Sequence, residues 1–376
     1  MNRNFQFILK VNLFLLFFTF SFAGSQTFEI KPGSKIINMG VVPQTVGNGL
    51  KPYGLVYNLL DIQKVPVIWS INPSKAKDGI DFTVDGIQFR GGTFVIESKY
   101  ANLPNVISAI NSFTAQGVIV HTTSTAVTIP LYKELKEFPN WVLDQDNGSI
   151  AAAYLTNAGI PASAYITKLP SQLNACDNLF ILPHADPTWN LHGNLYNWVQ
   201  STSNGGSEGW LWSACHAVSV LEGVSNPANP LQKMNFLSDP SLVHYKTPGH
   251  KDSSGAPFQY SNPNDAVMQF MSTLDGATKN GSEQIYLPVR NGSWRNTTQV
   301  TVWDPSHADI PSKSPGKAAV IAYGYAFGNS DNGKVMYEGG HSHDNGTIPE
   351  RVAAQRAFLN FSFEAPTGKY PTITNN

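Results

Sequence analysis

The sequence predicts an α/β protein: a three-layer sandwich on a mostly parallel sheet, with an N-terminal βα extension and a long insertion. Three observations predict it. Short β-branched runs alternate with single helices whose apolar residues recur at helical spacing. Strands joined through single helices favour parallel sheets with right-handed crossovers. One strand, Gly209 to Ala214, runs straight into a helix at Cys215, a junction that belongs to the C-terminal edge of such a sheet.

Arg3 and Lys10 provide a positive start, Val11 to Phe22 is a run of apolar and small residues, and Ser21-Phe22-Ala23 has the small-x-small form of a cleavage site. Residues 1–23 therefore read as a secretory signal peptide. The run is shorter than the ~20 residues a spanning helix needs, and no cysteine follows it for lipid attachment. The expected mature chain is secreted, periplasmic or held at the cell surface, with no transmembrane helix. Removing 1–23 takes two cations and no acid, leaving 23 basic against 26 acidic residues. So balanced a charge argues against nucleic acid or an anionic membrane surface as a partner. The remaining length suits one large α/β domain with elaborations, or two domains.

Residues 24–135 read as an N-terminal βα module. KIINMGVV is its first strand, and the following helix places Tyr53, Val56, Tyr57 and Leu60 on one face. VPVIWSI and GGTFVIES are further strands. Val106, Ile110 and Phe113 mark a second helix ahead of GVIVHT. The alternation predicts a parallel arrangement here too, as a separate module or as an extra layer on the main sheet.

Residues 136–376 read as the main α/β domain. WVLDQD is a strand, Ser149 an N-cap, Ile150, Ala153 and Tyr154 a helix face, and Gly159 the C-cap. AYIT and DNLFILPHAD follow as strands. A helix from Trp189 carries Leu191, Leu195, Trp198 and Val199, and Asn204-Gly205-Gly206 closes it. GWLWSA then meets HAVSVLEG. Residues 225–316 turn rich in Pro, Asn, Gly, Ser and Lys. They read as an insertion with a short helical patch (Val267, Phe270, Met271, Leu274) and two strand-like runs, EQIYLPV and TQVTVWD. Insertions of this size near a site serve as lids or binding surfaces, or are solvated decoration. AAVIAYGYAF and KVMYEGG form a final strand pair, and a last helix begins near Pro349-Glu350.

Cys215 is flanked at two positions on either side by small Ser213 and Ala217. A strained strand-to-helix elbow needs small flanks, and it lifts the nucleophile above the sheet edge. A helix N-terminus behind the sulfur favours thiolate and lowers the thiol from its ordinary ~8.5. His216, next in the chain, is a proton carrier or charge partner. The alternative is a small buried hydrophobe at a sheet-to-helix junction.

Ser213-Ala214-Cys215-His216-Ala217 resembles the nucleophile motif, small-x-Cys-His-small, of the class I glutamine amidotransferase-like superfamily, above all its intracellular-protease/amidase branch. The resemblance spans roughly residues 140 to 224 and includes the Ala158-Gly159-Ile160-Pro161 turn. It implies a flavodoxin-like α/β fold and a cysteine hydrolase of amides or esters. Two departures stand out. The family's Pro-Gly-Gly turn, which helps form its oxyanion hole, is replaced by Pro183-His184-Ala185-Asp186. Its late His-x-Glu is replaced by Tyr337-Glu338-Gly339-Gly340-His341-Ser342-His343, a strand ending in a Gly-His turn similar to the trehalose-utilisation-like branch.

The expected catalytic set is Cys215 as nucleophile, His216 and His341 as proton carriers, and Glu338 orienting a histidine. His184, Asp186 and His343 are expected to line the pocket, since ligands of open α/β sheets collect beyond the carboxyl ends of strands. The resemblance adds Asp146 as an acid contacting the thiol. His341-x-His343-Asp344 also has the composition of a metal cluster, but polar caps after strands share it, and neither metal nor cofactor is expected. Cys176 precedes its strand while Cys215 follows a parallel neighbour. Seven or eight residues at ~3.3 Å separate the two sheet edges by more than ~20 Å, beyond the ~7 Å Cα reach of a disulfide. Cys215 is expected to be a free thiol, which is unusual outside the cytoplasm. The partner is expected to be a small molecule, a peptide or a carbohydrate. A chain that keeps the fold but only binds such a ligand is the competing expectation, with Trp189, Trp210, Trp212, Trp294 and Trp303 as a sugar platform unless strand alternation buries them.

Overall fold

The structure is a computed structural model describing residues 26–247, 250, 257–279, 281–307 and 318–367. The expected signal peptide, residues 1–23, lies outside them.

In the N-terminal part, β1 (Lys35–Ile37), β2 (Val67–Ser70), β3 (Thr93–Ile96), β4 (Val120–Thr122) and β5 (Lys133–Leu135) form a sheet of order β4-β1-β3-β2-β5. Every neighbouring pair in it is antiparallel, which corrects the parallel module expected. The helices α1 (Lys51–Tyr57) and α2 (Pro104–Thr114) do link strands of like direction, β1 to β2 and β3 to β4. A third strand sits between the members of each linked pair, which is the split βαβ arrangement. Local alternation of strand and helix is the same in split and unsplit units, so the pattern alone does not separate them.

The larger sheet contains β6 (Trp141–Asp144), β7 (Tyr165–Lys168), β8 (Leu179–Leu182), β9 (Trp210–Ala214), β10 (Gln259–Tyr260), β11 (Gln299–Asp304), β12 (Ala318–Tyr325) and β13 (Lys334–Glu338). Its order is β7-β6-β8-β9-β13-β12-β11-β10. The pairs from β7 to β13 are parallel and those from β13 to β10 antiparallel. The sheet is thus mixed rather than mostly parallel. The antiparallel half has a simple cause: β12 and β13 are joined as a hairpin, and the insertion lays β10 and β11 against the far side of β12.

Side chains of a strand alternate between its two faces, and the cores follow that alternation. Trp141, Leu143, Leu179, Ile181, Trp212 and Met336 join Trp69 and Phe94 of the smaller sheet in one apolar cluster. Val142, Phe180, Leu182, Leu211 and Tyr337 face the other way, onto α4 (Ala217–Gly223) and Phe236. Between the two sheets lie α3 (Ser149–Ala158) and α5 (Ile348–Glu364). Being enclosed, α5 is buried from Val352 to Phe363 all round. Its Arg356 is fully buried and donates to the carbonyls of Met39 and Gly91, each at 2.8 Å, and to Gln44 Oε1. A buried cation is tolerated only with such partners. The described residues on either side of position 135 therefore share one core.

The insertion is pinned to the elbow helix. Glu222 at the end of α4 is fully buried and accepts hydrogen bonds from Leu237 N at 2.8 Å, Ser238 N at 3.1 Å and the Tyr337 hydroxyl. The expected patch from Val267 to Leu274 is helical only over the 3₁₀ turn Ala266–Met268. EQIYLPV forms isolated bridges, Tyr286 to Ala319 and Pro288 to Leu242, instead of a strand. Gly159 caps α3 in the left-handed conformation (φ 78°), whereas Gly148 takes the N-cap position expected for Ser149. Among the described residues no helix is long and apolar enough to cross a membrane.

Candidate active site

Strand β9 ends at Ala214, α4 begins at Ala217, and only two residues make the bend. Cys215 takes φ 54°, the left-handed region, which costs a residue with a Cβ on the order of 1 kcal/mol. The surroundings hold it there. Cys215 N–H donates to Glu338 O at 3.4 Å, and Cys215 O accepts from Val218 N at 3.1 Å. The Tyr286 hydroxyl lies 2.8 Å from Glu338 O and 3.1 Å from Cys215 O, tying the insertion to both strands. Ser213 and Ala217 are completely buried, so larger residues have no room.

The sulfur is fully buried, but its neighbours are polar. Ser282 N–H donates to Sγ at 3.2 Å, Ser282 Oγ lies at 3.4 Å, and His216 Nδ1 at 3.9 Å. His216 Nδ1 is also 2.7 Å from Ser282 Oγ, and its Nε2 is 3.3 Å from Asp186 Oδ1. Asp186 is itself held by the Tyr245 hydroxyl at 3.1 Å, and the Tyr245 ring stacks on His216 at 4.5 Å. The His184 ring stands edge-on to His216 at 4.1 Å and tilted to His341 at 5.0 Å. Three imidazoles therefore surround one sulfur. The turn over them must be glycine at 281: φ is +111°, and a Cβ there would lie 2.9 Å from Cys215 Sγ and 2.8 Å from His341 Nδ1.

The electrostatics follow from these contacts. Burial pushes the Cys215 thiol up, but the polar neighbours His216, His341, Ser282 and His184 outweigh it and bring the thiol down to about 4. Reciprocally, the interaction with Cys215 raises His341 against the opposing effect of its burial. The thiolate and an imidazolium are thereby favoured together, as in activated cysteine nucleophiles. Both cysteines are free: Cys215 inside, Cys176 exposed at the opposite end of the strands.

Glu338 has another place than the one expected. It lies on the strand beside the elbow, with its Oε2 accepting from Trp212 Nε1 at 3.1 Å and its Oε1 3.6 Å from His343 Nε2. Burial raises Glu338 to about 8 and lowers His343 to about 3, so near pH 7 both are neutral. The carboxylate that orients a histidine at the sulfur is Asp186, and the histidine is His216. His343 is fully buried behind the His341 turn, which the Tyr154 hydroxyl fastens by donating to His341 O. Asp146, in the exposed turn after β6, is not among the residues that act on the thiol. A cavity of about 470 Å³ beside this turn is lined by Tyr154, Ser342, His343, Asp344 and Arg351, but not by Cys215.

Where the family resemblance supplies a Gly-Gly turn, His184 and Ala185 stand instead, and His184 places its ring at the sulfur. Among the described residues the main-chain N–H of His216 has no acceptor, which leaves it available to an oxyanion. Sequence reasoning missed Gly281, Ser282, Tyr245 and Tyr286. All four come from the insertion, and its size and position after the elbow helix were the only signal for them. None of Trp189, Trp210, Trp212, Trp294 and Trp303 is exposed, and Trp212 is wholly buried. Comparison with family models, with curated proteins and with solved structures returns no match.

Proposed function

We propose that the protein is an exported cysteine hydrolase acting on an amide or ester carbonyl. The observation that carries this reading is a thiol brought down to about 4 at a left-handed elbow, among His216, His341 and Ser282. The Cys215 thiolate attacks the carbonyl carbon, a C–S bond forms, and the carbonyl electron pair moves to oxygen, where the His216 N–H stabilises it. The oxyanion collapses, the bond to the leaving amine or alcohol breaks, and imidazolium His341 gives that group its proton. Water, deprotonated by the neutral imidazole, attacks the thioester. The C–S bond breaks and the thiolate returns. Asp186 keeps His216 in one orientation and tautomer throughout, the part an acid plays in triads. Ser282 covers the sulfur, so a substrate has to displace it, and this favours small acyl groups.

The family resemblance supports the same reading. The parallel strands β7-β6-β8-β9-β13 run in the flavodoxin-like order 2-1-3-4-5, and Cys215 follows the fourth. The three-layer amidotransferase-like sandwich is on this view the ancestral part, to which antiparallel strands were added. Residues Arg3 to Ala23 support export. The complete burial of Cys215 favours one competing reading, a ligand-binding domain without chemistry.

The test is release of p-nitrophenol from short-chain p-nitrophenyl esters and of p-nitroaniline from small amides, by the wild type and by Cys215→Ala. The hydrolase reading requires turnover that Cys215→Ala abolishes. Equal turnover in the two proteins, or none in either, sinks it in favour of the binding reading.

A further inference from the structure

We propose that Cys215, His184 and His216 form a binding site for a zinc ion, with the fourth position open. The inference is independent of hydrolysis, since it rests on ligand geometry. The Cys215 sulfur and one ring nitrogen from each of His184 and His216 lie within 4.8 Å of one another. With Zn–S near 2.3 Å and Zn–N near 2.05 Å, a tetrahedral zinc sets S···N at about 3.6 Å and N···N at about 3.3 Å. The observed 3.9 Å between Cys215 Sγ and His216 Nδ1 is a few tenths of an ångström from that span. The remaining separations are within 4.8 Å and have to contract by up to about 1.5 Å on binding.

The surroundings of the histidines have the form of a metal site's outer shell. Metal-bound imidazoles give their far N–H to a carboxylate, which fixes the tautomer and leaves the lone pair on the metal side. Asp186 Oδ1 stands 3.3 Å from His216 Nε2, which leaves the lone pair on Nδ1, the nitrogen nearer the sulfur. The Ser282 hydroxyl lies at that nitrogen, 2.7 Å away. In the same cluster, His184 Nδ1 is buried and has no hydrogen-bond partner. A nitrogen so withdrawn from water lacks the partner that buried polar atoms nearly always have. A zinc ion supplies one.

A thiolate with neutral imidazoles selects zinc and its neighbours over magnesium or calcium, which take oxygen ligands. A thiolate that shares its electron density with zinc is a weaker nucleophile than a free one. Zinc occupancy therefore slows thiol chemistry at Cys215 and would restrain a hydrolase.

The experiment uses the full mature chain, treated with EDTA and titrated with Co²⁺ as a spectroscopic stand-in. The proposal requires visible d–d bands of tetrahedral cobalt and a near-ultraviolet thiolate-to-cobalt band, saturating at one equivalent and bleached by one equivalent of Zn²⁺ but not by Mg²⁺. Cys215→Ser must remove the thiolate band and His184→Ala must weaken binding at least 100-fold. Asp186→Asn must weaken it about 10- to 100-fold, and Cys176→Ser must leave it unchanged. A readout needing no variant at Cys215 is the rate of iodoacetamide alkylation, which one equivalent of Zn²⁺ must slow at least tenfold in Cys176→Ser. Absence of the thiolate band, its loss with Cys176→Ser, or alkylation indifferent to zinc overturns the proposal. If hydrolysis fails its own test while the cobalt band appears, the site is a metal site alone.

Discussion

Replacing Glu338 by Gln gives the sharpest test of the electrostatics behind the elbow. Glu338 is fully buried, its Oε2 accepts one hydrogen bond from Trp212 Nε1, and burial raises it from 4.5 to about 8. Its folded value is above its unfolded one. The stability it contributes is therefore complete below pH 4.5 and is lost as pH rises toward 8. At ~1.36 kcal/mol per pKa unit, the wild type loses about 3 to 4 kcal/mol between pH 5 and pH 8 through this group alone. Gln keeps the shape and the oxygen facing Trp212 but cannot ionise. Urea unfolding of both proteins at pH 5, 6.5 and 8 should show a stability advantage for Glu338→Gln that grows by about that amount. A difference that stays constant across the three pH values would refute the assignment of Glu338 as a buried neutral acid.

Two further substitutions probe the framework of the site. Gly281→Ala places a Cβ within 3 Å of both Cys215 Sγ and His341 Nδ1 at φ +111°, so it should destabilise the fold by about 1–3 kcal/mol in chemical denaturation; unchanged stability would mean that the turn does not rest on the sulfur. Arg356→Met removes the donors to the buried carbonyls of Met39 and Gly91 and should cost about 3 kcal/mol or more; a loss under 1 kcal/mol would show that the two sheets do not depend on this link.

Several features of the site were legible in the sequence because local chemistry dictates them. A β-rich run ending in Ala214, a nucleophile-type residue with small flanks, and an amphipathic turn beginning at Ala217 can hardly be joined except by a tight bend. His184, Asp186 and His341 follow from the same logic, since they end strands that run parallel to β9. The opposed placement of Cys176 and Cys215 was likewise readable from strand length. Distance in sequence hid the rest. Ser282 and Gly281 reach the sulfur from more than sixty residues away, through a segment with no periodicity to place it. On sequence alone the histidine-orienting role falls to Glu338 and only a place in the pocket to Asp186. The choice depended on side-chain direction: Glu338 turns toward Trp212 and His343, Asp186 toward the solvent rim and His216. The split βαβ order of the smaller sheet has no local signature at all.

The chemistry of the site turns on the Cys215 sulfur resting as a thiolate held by imidazole and by the Ser282 amide. The most direct measurement is the pH dependence of iodoacetamide alkylation in Cys176→Ser, read by mass spectrometry at Cys215 in metal-free protein. A titration midpoint near 4 is expected, so that the rate is nearly flat from pH 5.5 to 8. A rate that climbs tenfold per unit through that range, with a midpoint near the ordinary thiol value of ~8.5, would contradict it.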